Sequence, residues 1–409
     1  MVHWIGLFLC FVTSAVFSST QEENHSTQDF GPVAQVKVLV KKNAEGALIE
    51  VKGAYDVIDP FTQKKVSNGF KGKRFYLYPH NEGIKWGEDF AGIYQIKISP
   101  KDAVSSVLVD GIQYKGNLEI YHVDNKITII NEVDVENYLK SILSSQIQED
   151  LEPAVMDAIA ILARTQTYYH IQHHERAFWH IDAAAVDYKG HALSLFSPKI
   201  IKSVDSTRFL VMTYEKKTFP TTWNENCAGK TASYSAVFRK NAPVPAGIKS
   251  TFAEKSRKDH HWTFTTTKSK LANLAQTNRV TELDLYVDQQ SEKVYAIRIQ
   301  DGSHHKQLHF FDLQKGLGAK NLLSNDFTVT IEGNNVTFEG YGEGCGVGLC
   351  LYSAKEMAKR GDTAPEILSL FYPYTHVEQI RTLPADDMVH FSSSKLKKIK
   401  AKELETSKT

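Results

Sequence analysis

Histidines cluster near the middle of the chain, and the spacing of two of them could hold a metal ion. Zinc hydrolases use two histidines on one helical face together with a carboxylate. His170 and His174 have that four-residue spacing, but Glu175 follows them instead of lying between them. Histidines at a helix end need no metal, so we predict neither a metal site nor a cofactor. The other clustered histidines are His173, His180, His260, His261, His304 and His305.

A ladder of alternating glycines is the second feature that could carry chemistry. The segment "GYGEGCGVG" places glycine at positions 340, 342, 344, 346 and 348. Each glycine costs chain entropy on folding, so five in alternation require a physical reason. The ladder could cradle a phosphate, or it could let two backbones cross closely. No Lys-Ser or Lys-Thr follows it, so the signal for a nucleotide is weak, and a tight structural crossing near a cleft fits at least as well.

One arginine stands out in the segment "ILARTQTYYH", where Arg164 lies among small and apolar residues. A guanidinium has five N–H donors, which need a carboxylate or backbone carbonyls when the residue is buried. Two roles stay open at this point. Arg164 could form a structural ion pair, or it could hold a cleft residue in place.

Short alternating or β-branched runs supply the predicted scaffold from residue 34 to residue 128. Gly, Asn, Asp and Pro separate them, as is typical of antiparallel strands. The runs are "VKVLV", "ALIEVKGAY", "RFYLYP", "GIYQIKI", "SSVLVDG" and "LEIYHVDNKITII".

The apolar period becomes helical between Val133 and His174. "VENYLKSIL" predicts a short helix, and "EPAVMDAIAILARTQTYYHIQHH" predicts a long one with Pro153 in its first turn and Asp150 as its N-cap. The segment "SSQIQED", residues 144–150, would then be the entrance to the long helix, where backbone N–H groups point outward.

Strands resume after Ser194, and a second helical patch runs from Tyr352 to Gly361, a favourable C′ residue. Thr363 to Glu366 form a capping box that opens a further helix. There is no βαβ rhythm, so we predict an α+β fold, mostly antiparallel sheet with a few inserted helices. The later strand predictions are "FLVMTYEK", "PTTWNENCAG", "TELDLYVD", "KVYAIRIQD", "KQLHFFDL" and "FTVTIEGNNVTFEG".

Length and composition allow a large packed core and exclude some partners. The chain has 409 residues, 42% of them hydrophobic, and a net charge of +1. A balanced charge gives no electrostatic footprint for nucleic acid, so we predict no nucleic-acid partner. Beyond Cys10, the cysteines are Cys227, Cys345 and Cys350, and their spacing favours buried free thiols.

Both ends of the chain differ from its middle. Residues 1–19 are apolar and predict a signal peptide or an uncleaved N-terminal anchor, and residues 20–33 predict a polar linker. Residues 381–409 are basic and predict a disordered tail. No other segment approaches the length of a membrane span, so we expect a peripheral protein or a single anchor at the membrane.

Five stretches, in order, resemble the SpoIID/LytB family, which comprises stage II sporulation protein D and the amidase enhancers. The resemblance runs from about Val36 to Thr375 and predicts a SpoIID-like region over residues 34–380. Its parts would be a β-rich part (34–128), a helical core with strands (129–250), a β-rich insertion (251–340) and the glycine ladder with C-terminal helices (341–380). The stretches are "YKGNLEIYHVDNKITIINEVDVENYLKSIL", "AVMDAIAILARTQTYY", "VDSTRFLVMTY", "WNENCAGKTASYSAVF" and "FEGYGEGCGVGLCLYSAKEMAKRGDTAPEILSLFYP".

The resemblance implies an exported protein, in the periplasm or on the outer face of the cytoplasmic membrane, that remodels the cell wall. Family members are lytic transglycosylases that act on peptidoglycan strands without stem peptides, or enhancers of an N-acetylmuramoyl amidase. In the transglycosylases one Glu protonates the glycosidic oxygen and then, as a base, helps the muramyl 6-hydroxyl close an anhydro ring.

The residue at the position of that Glu is Gln146, eighteen residues before Arg164. An amide can hold a sugar by hydrogen bonds but has no proton to transfer. The substitutes we considered are Glu149, Glu343 and Glu136, and Glu343 is notable because it stands in the glycine ladder where the family has Trp. The family His is replaced by Asn224 in "WNENC" and by Cys345 in the ladder, so the zinc of some members is not carried over.

Three hypotheses follow: a transglycosylase with a substitute acid, a non-catalytic glycan-binding module that stimulates an amidase, or a structural envelope protein. Under the first two, the resemblance predicts a glycan-binding cleft around Gln146. The residues that it would place there are Ser145, Arg164, Tyr168, Gly344, Cys345, Gly346 and Gly348.

Overall fold

A computed structural model describes residues 34–380, except residues 103, 175–176, 192–196 and 303. The predicted signal peptide or anchor (1–19), the linker (20–33) and the basic tail (381–409) lie outside the described residues.

Two antiparallel sheets form the first part of the fold. In the larger one the strand order is β13-β1-β12-β11-β8-β3-β4, and in the smaller one it is β10-β9-β2-β5-β6-β7. The strands are β1 (Gln35–Ala44), β2 (Ala47–Lys52), β3 (Tyr55–Ile58), β4 (Lys65–Gly69), β5 (Lys73–His80), β6 (Gly83–Trp86), β7 (Glu88–Ala91), β8 (Gln95–Pro100), β9 (Ser106–Val109), β10 (Ile112–Tyr114), β11 (Asn117–Val123), β12 (Lys126–Asp134) and β13 (Ile181–Asp182).

Period-2 alternation explains why these segments form sheets with one buried face. In β2, Ala47, Ile49 and Val51 are buried, while the residues between them are half-buried. Both sheets and the helices that follow contribute to one apolar core. Within it, Trp86 is completely buried and its indole N–H donates to the Ile49 carbonyl, with a donor–acceptor distance of 3.2 Å.

Three helices follow: α1 (Val135–Gln146), α2 (Pro153–His173) and α3 (Pro198–Ser206). Helix α1 contacts β1 and β12 of the larger sheet, and α2 and α3 pack against α1 and against each other. Helices α1 and α2 confirm those predicted from the apolar period. Asp134 caps α1 by accepting from the Asn137 amide, at 2.9 Å. The predicted cap of α2 is wrong, because its N-cap is Glu152, without a side-chain hydrogen bond, while Pro153 occupies the first turn as predicted.

The second half of the chain adds shorter strands and six helices among the described residues. The strands are β14 (Leu210–Thr213), β15 (Trp223–Asn224), β16 (His261–Thr267), β17 (Glu282–Val287), β18 (Val294–Asp301), β19 (His304–His309), β20 (Phe327–Glu332), β21 (Asn335–Tyr341), β22 (Leu349–Cys350) and β23 (His376–Gln379). The helices are α4 (Tyr234–Phe238), α5 (Thr251–Lys255), α6 (Lys268–Ala275), α7 (Phe310–Leu317), α8 (Leu351–Arg360) and α9 (Ala364–Phe371), with 3-10 turns at Ala183–Ala185 and Arg257–His260.

Residues 261–341, which we call the insertion lobe, have an apolar core of their own. Two three-stranded sheets, β16-β21-β20 and β17-β18-β19, enclose it together with α6 and α7. The segment "KQLHFFDL" was predicted as a strand, but it turns into helix α7 at Phe310, whose buried face carries Phe310, Leu313 and Leu317.

The α+β prediction is confirmed, since the described sheets are antiparallel apart from two short parallel pairs, β1 with β13 and β15 with β22. The C-terminal signals are confirmed as well: Gly361 ends α8 in the left-handed region and Thr363 and Glu366 form the capping box of α9. Across the described ranges, no helix has the length and apolarity needed to cross a membrane.

Candidate functional site

The buried pair Arg164–Glu136 joins α2 to α1. The Arg164 Nε and Nη2 atoms donate to the two Glu136 carboxylate oxygens, at 2.9 and 2.8 Å. Other donors of the guanidinium reach the carbonyls of Val204 and Leu210, at 3.0 and 3.1 Å. Arg164 is completely buried, so of the two roles left open, the structural ion pair is the one observed. Glu136 is engaged there and is not available as a substitute acid.

Tyr168 lies one turn further along α2 and is also completely buried. Burial raises the pKa of its hydroxyl to about 12. The expectation that Arg164 and Tyr168 line a cleft is therefore wrong: both side chains belong to the core between the helices and do not reach solvent.

Gln146 is the last residue of α1, and its side chain is exposed. Its amide Nε2 donates to the Val186 carbonyl, at 3.0 Å. The preceding Ser145 hydroxyl donates to the Ile142 and Asp187 carbonyls, at 2.8 and 3.1 Å. Residues 144–146 thus end α1, which the prediction missed, and residues 147–150 belong to the loop that leads into α2, as predicted.

The loop after Gln146 borders a cavity of about 190 Å³. Two lysines bind its exposed carboxylates: Lys355 of α8 forms an ion pair with Glu149, and Lys199 of α3 forms one with Asp150. The cavity therefore combines charged side chains with an apolar wall. It is lined by Ile147, Gln148, Glu149, Asp150, Leu151, Met156, Ser197, Lys199 and Ile200.

The glycine ladder crosses the segment 222–228 at very short distances. A Cβ at Gly348 would lie 2.3 Å from the Thr222 carbonyl oxygen, and one at Gly344 would lie 2.6 Å from the Asn224 Cβ. Both glycines, like Gly346, have positive φ. Gly346 and Gly348 are buried, whereas Gly344 and Cys345 are half-buried. The tight structural crossing is the alternative that the structure bears out.

We expect Gly348→Ala to lower the free energy of unfolding by about 1–3 kcal/mol more than Gly361→Ala. Both glycines have positive φ, with values of 80° and 100°, but only at Gly348 would the added Cβ meet other atoms. The pair therefore separates the steric cost of the crossing from the conformational cost of the left-handed region. Urea denaturation of the two variants measures this difference, and equal losses would contradict a close-packed crossing.

Three carboxylates and one lysine come together beside the crossing. Glu225 and Glu343 lie on paired backbones, because Asn226 and Glu343 exchange both N–H···O bonds, at 3.0 and 2.9 Å. The Tyr352 amide at the start of α8 donates to the Glu225 carbonyl, at 2.9 Å, and Lys355 on the next turn binds Glu149. The loop after Gln146 and the glycine ladder thus meet around Lys355.

Among the three carboxylates around Lys355, the one with a raised pKa is that of Glu225. The residue is exposed as a whole, yet protein atoms remove part of the hydration of its carboxylate and raise its pKa. Lys355 opposes this shift, while Glu149 and Glu343 add to it by repulsion. Sequence reasoning missed Glu225. The available signal was an acidic residue inside "WNENC", one of the stretches that resemble the family.

Asn224, at the position of the family histidine, and the described histidines around His170 do not form a metal-binding arrangement. The Asn224 side-chain amide is buried and donates to the Val347 and Leu349 carbonyls, at 3.1 and 3.2 Å. Burial lowers the pKa of His170 to about 4, and its Nε2 lies 2.8 Å from the Gln166 Nε2. Within residues 34–380, as far as they are described, no group of three or more His, Cys, Asp or Glu side chains could hold a metal ion.

Comparison with known proteins places this architecture in a family. The model of the stage II sporulation protein family, SpoIID, matches residues 123–214, from the end of β11 through β14. An uncharacterised protein of Chlamydia pneumoniae is 31% identical over 210 residues, which cover 51% of this chain and 76% of that protein. An uncharacterised protein of Brachyspira hyodysenteriae is 24% identical over 332 residues, covering 79% of this chain and 87% of that protein.

Stage II sporulation protein D of Bacillus subtilis is 24% identical over 287 residues, covering 64% of this chain and 79% of that protein. The match to the family model and this relative define a protein with a SpoIID-type core. The chain belongs to the SpoIID family as a divergent member, and its role is a cell-wall-related one of SpoIID type.

Proposed function

We propose that the protein binds and cleaves peptidoglycan glycan strands that lack stem peptides, by lytic transglycosylation, with Glu225 as the acid. The observation that carries this proposal is the carboxylate with a raised pKa at the meeting point of the loop after Gln146 and the glycine ladder. The substrate lies outside the cytoplasmic membrane. The proposal therefore includes export, guided by residues 1–19, to the periplasm or the outer face of the cytoplasmic membrane.

The chemistry requires one carboxyl group that exchanges a proton twice. Protonated Glu225 donates its proton to the glycosidic oxygen, and the bond to the leaving sugar breaks. The resulting carboxylate then accepts the proton of the muramyl 6-hydroxyl as that oxygen closes the anhydro ring on the anomeric carbon. A raised pKa suits the first step because it keeps a larger fraction of the acid protonated near neutral pH.

Glu149 and Glu343 have supporting roles in this proposal. Both raise the pKa of Glu225 by repulsion, and Lys355 limits the effect and holds Glu149 in an ion pair. Gln146 supplies an amide at the rim of the loop, which is suited to a sugar hydroxyl or acetamido group. The cavity of about 190 Å³ beside it is a candidate position for part of the strand.

A second candidate function is a non-catalytic glycan-binding protein that recruits or stimulates an N-acetylmuramoyl amidase. The observation that favours it is Gln146 itself, whose amide cannot transfer a proton and is bound to the Val186 carbonyl. In that case the carboxylates around Lys355 would bind the strand or the partner without cutting.

The test is incubation of the protein with peptide-free glycan strands, followed by mass spectrometry for anhydromuramyl ends. We expect such ends from the natural sequence, because Glu225 replaces the missing acid. Gln146→Glu runs in parallel, with Gln148→Glu as the matched control for adding a carboxylate to the same loop.

Products from Gln146→Glu alone would contradict the enzyme proposal and support the binding function, since the cleft would then be intact without its acid. Strand binding without products in any variant would also favour the binding function. If the protein neither binds the strands nor releases products, both candidate functions are contradicted.

A further inference from the structure

Two cysteines meet at the base of the insertion lobe. The Cys227 amide N lies 3.3 Å from the Cys350 Sγ, and the Cys227 thiol also hydrogen-bonds to that sulfur. Both residues are buried, with 1% and 0% exposure. Asn224, three residues before Cys227, is the register partner of Cys350 in the parallel pair β15–β22, so this strand pair brings the two cysteine segments together.

The thiol pKa values of the two cysteines are shifted in opposite directions. Burial alone would raise the pKa of the Cys350 thiol, but hydrogen bonds from the Cys227 thiol, the Ser353 hydroxyl and two backbone N–H groups lower it to about 6. Cys350 is the N-cap of the ten-residue helix α8, where the helix dipole also favours an anion. The Cys227 thiol has a raised pKa, first because it donates to Cys350. Of the two thiols, Cys350 is therefore the more readily deprotonated, and Cys227 is its hydrogen-bonded neighbour.

The geometry points to a thiol–disulfide exchange site: Cys227 and Cys350 form an internal disulfide when the protein meets a disulfide donor, and the bond joins the two segments of the main core that flank the insertion lobe in the chain. The two residues lie 123 positions apart, on either side of residues 261–341. The bond would therefore close a loop that contains the entire insertion lobe.

The polar contacts of Cys227 link this position to the insertion lobe. Its carbonyl accepts from the Lys293 Nζ of the insertion lobe, at 2.7 Å. Lys293 is buried and bound to Asp326, at 2.6 Å, and Asp326 is bound to Arg257 by two contacts of 2.6 and 2.8 Å. The predicted disulfide would add a covalent link at the point where this ion-pair network meets the main core.

The exchange balances with a low-molecular-weight disulfide as the oxidant. The Cys350 thiolate attacks one sulfur of the donor and releases the other as a thiolate, which leaves a mixed disulfide on Cys350. Cys227 loses its proton and attacks the Cys350 sulfur, which releases the second donor thiolate. Two protein thiols are oxidised and one donor disulfide is reduced to two thiols. Because both cysteines are buried, exchange in the folded protein requires local opening and should be slower than exchange during refolding.

The experiment uses the full chain with Cys10→Ser, refolded in oxidised and reduced glutathione, alkylated and mapped by mass spectrometry. We expect a peptide pair linked through Cys227 and Cys350, and alkylation of Cys345 alone. Cys345→Ser is the matched control, because Cys345 is half-buried and lies five residues from Cys350, and this variant should keep the link. Alkylation of all three thiols, a link through Cys345, or glutathione retained on one cysteine would contradict the proposal.

Thermal melting gives a second readout. The oxidised protein should melt roughly 5 °C above the same protein treated with dithiothreitol, because the bond constrains a long loop of the unfolded chain. Cys350→Ser, which replaces the sulfur by a smaller oxygen, should lose this redox-dependent shift and still fold. A shift that persists in Cys350→Ser, or no shift in the linked protein, would overturn the stabilising role of the bond.

Discussion

Replacing Glu225 with Gln is expected to reduce cleavage of peptide-free strands by about 10²–10⁴-fold, the usual effect of removing a positioned acid. The substitution keeps the size of the side chain and removes only the transferable proton. Anhydromuramyl ends counted by mass spectrometry at several times give the rate. Glu356→Gln on α8 is the matched control, since Glu356 neighbours Lys355 in sequence but pairs with Lys359, and this variant should cleave at the natural rate.

The pH dependence tests the same assignment. The first step needs protonated Glu225, so the rate should fall as pH rises through the raised pKa of this residue. Glu343→Gln removes one of the negative charges that raise this pKa, so the alkaline limb should move to lower pH. Full activity of Glu225→Gln together with a loss in Glu149→Gln or Glu343→Gln would show that the acid was assigned to the wrong carboxylate.

Replacing Glu136 with Gln is expected to lower the free energy of unfolding by about 3–5 kcal/mol, because it leaves the buried Arg164 guanidinium without its counter-charge. Arg164 has 0% exposure and both bonds of the pair are short, at 2.9 and 2.8 Å. Urea denaturation measures the loss. Glu356→Gln breaks the exposed pair with Lys359 and should cost at most about 1 kcal/mol.

The double variant Glu136→Leu/Arg164→Met distinguishes the cost of leaving one buried charge unpaired from the cost of removing both charges. With both charges removed, no ion remains buried, and much of the lost stability should return. If Glu136→Gln costs no more than the exposed control, the pair does not hold α1 against α2 as we describe.

Local signals predicted the elements whose causes lie within a few neighbouring residues. Three such signals are Pro153 in the first turn of α2, Gly361 after α8 and the Thr363–Glu366 capping box. Each depends on backbone geometry or hydrogen bonds within one helical turn. The alternation in β2 likewise appears in the sequence and in the burial of its residues.

Local signals failed where a distant partner decided the outcome. Asp150 has the side chain of an N-cap, but Lys199 binds it and α2 begins after Glu152. "KQLHFFDL" has aromatic and apolar residues that suit a strand, but the core of the insertion lobe buries Phe310 and Leu313 on one helical face.

The candidate site shows the same division. The sequence by itself determined the family resemblance, the glutamine at position 146 and the closely spaced glycines, because these are properties of residue order and type. Only the tertiary structure decided that Arg164 is a core ion pair, that Glu225 lies with Glu149 and Glu343 around Lys355, and that Cys227 meets Cys350. Charges and thiols act over a few ångströms. Arg164 meets Glu136 because α2 packs against α1, whereas Glu225 and Cys227 meet their partners where the segment 222–228 runs beside the glycine ladder and the start of α8.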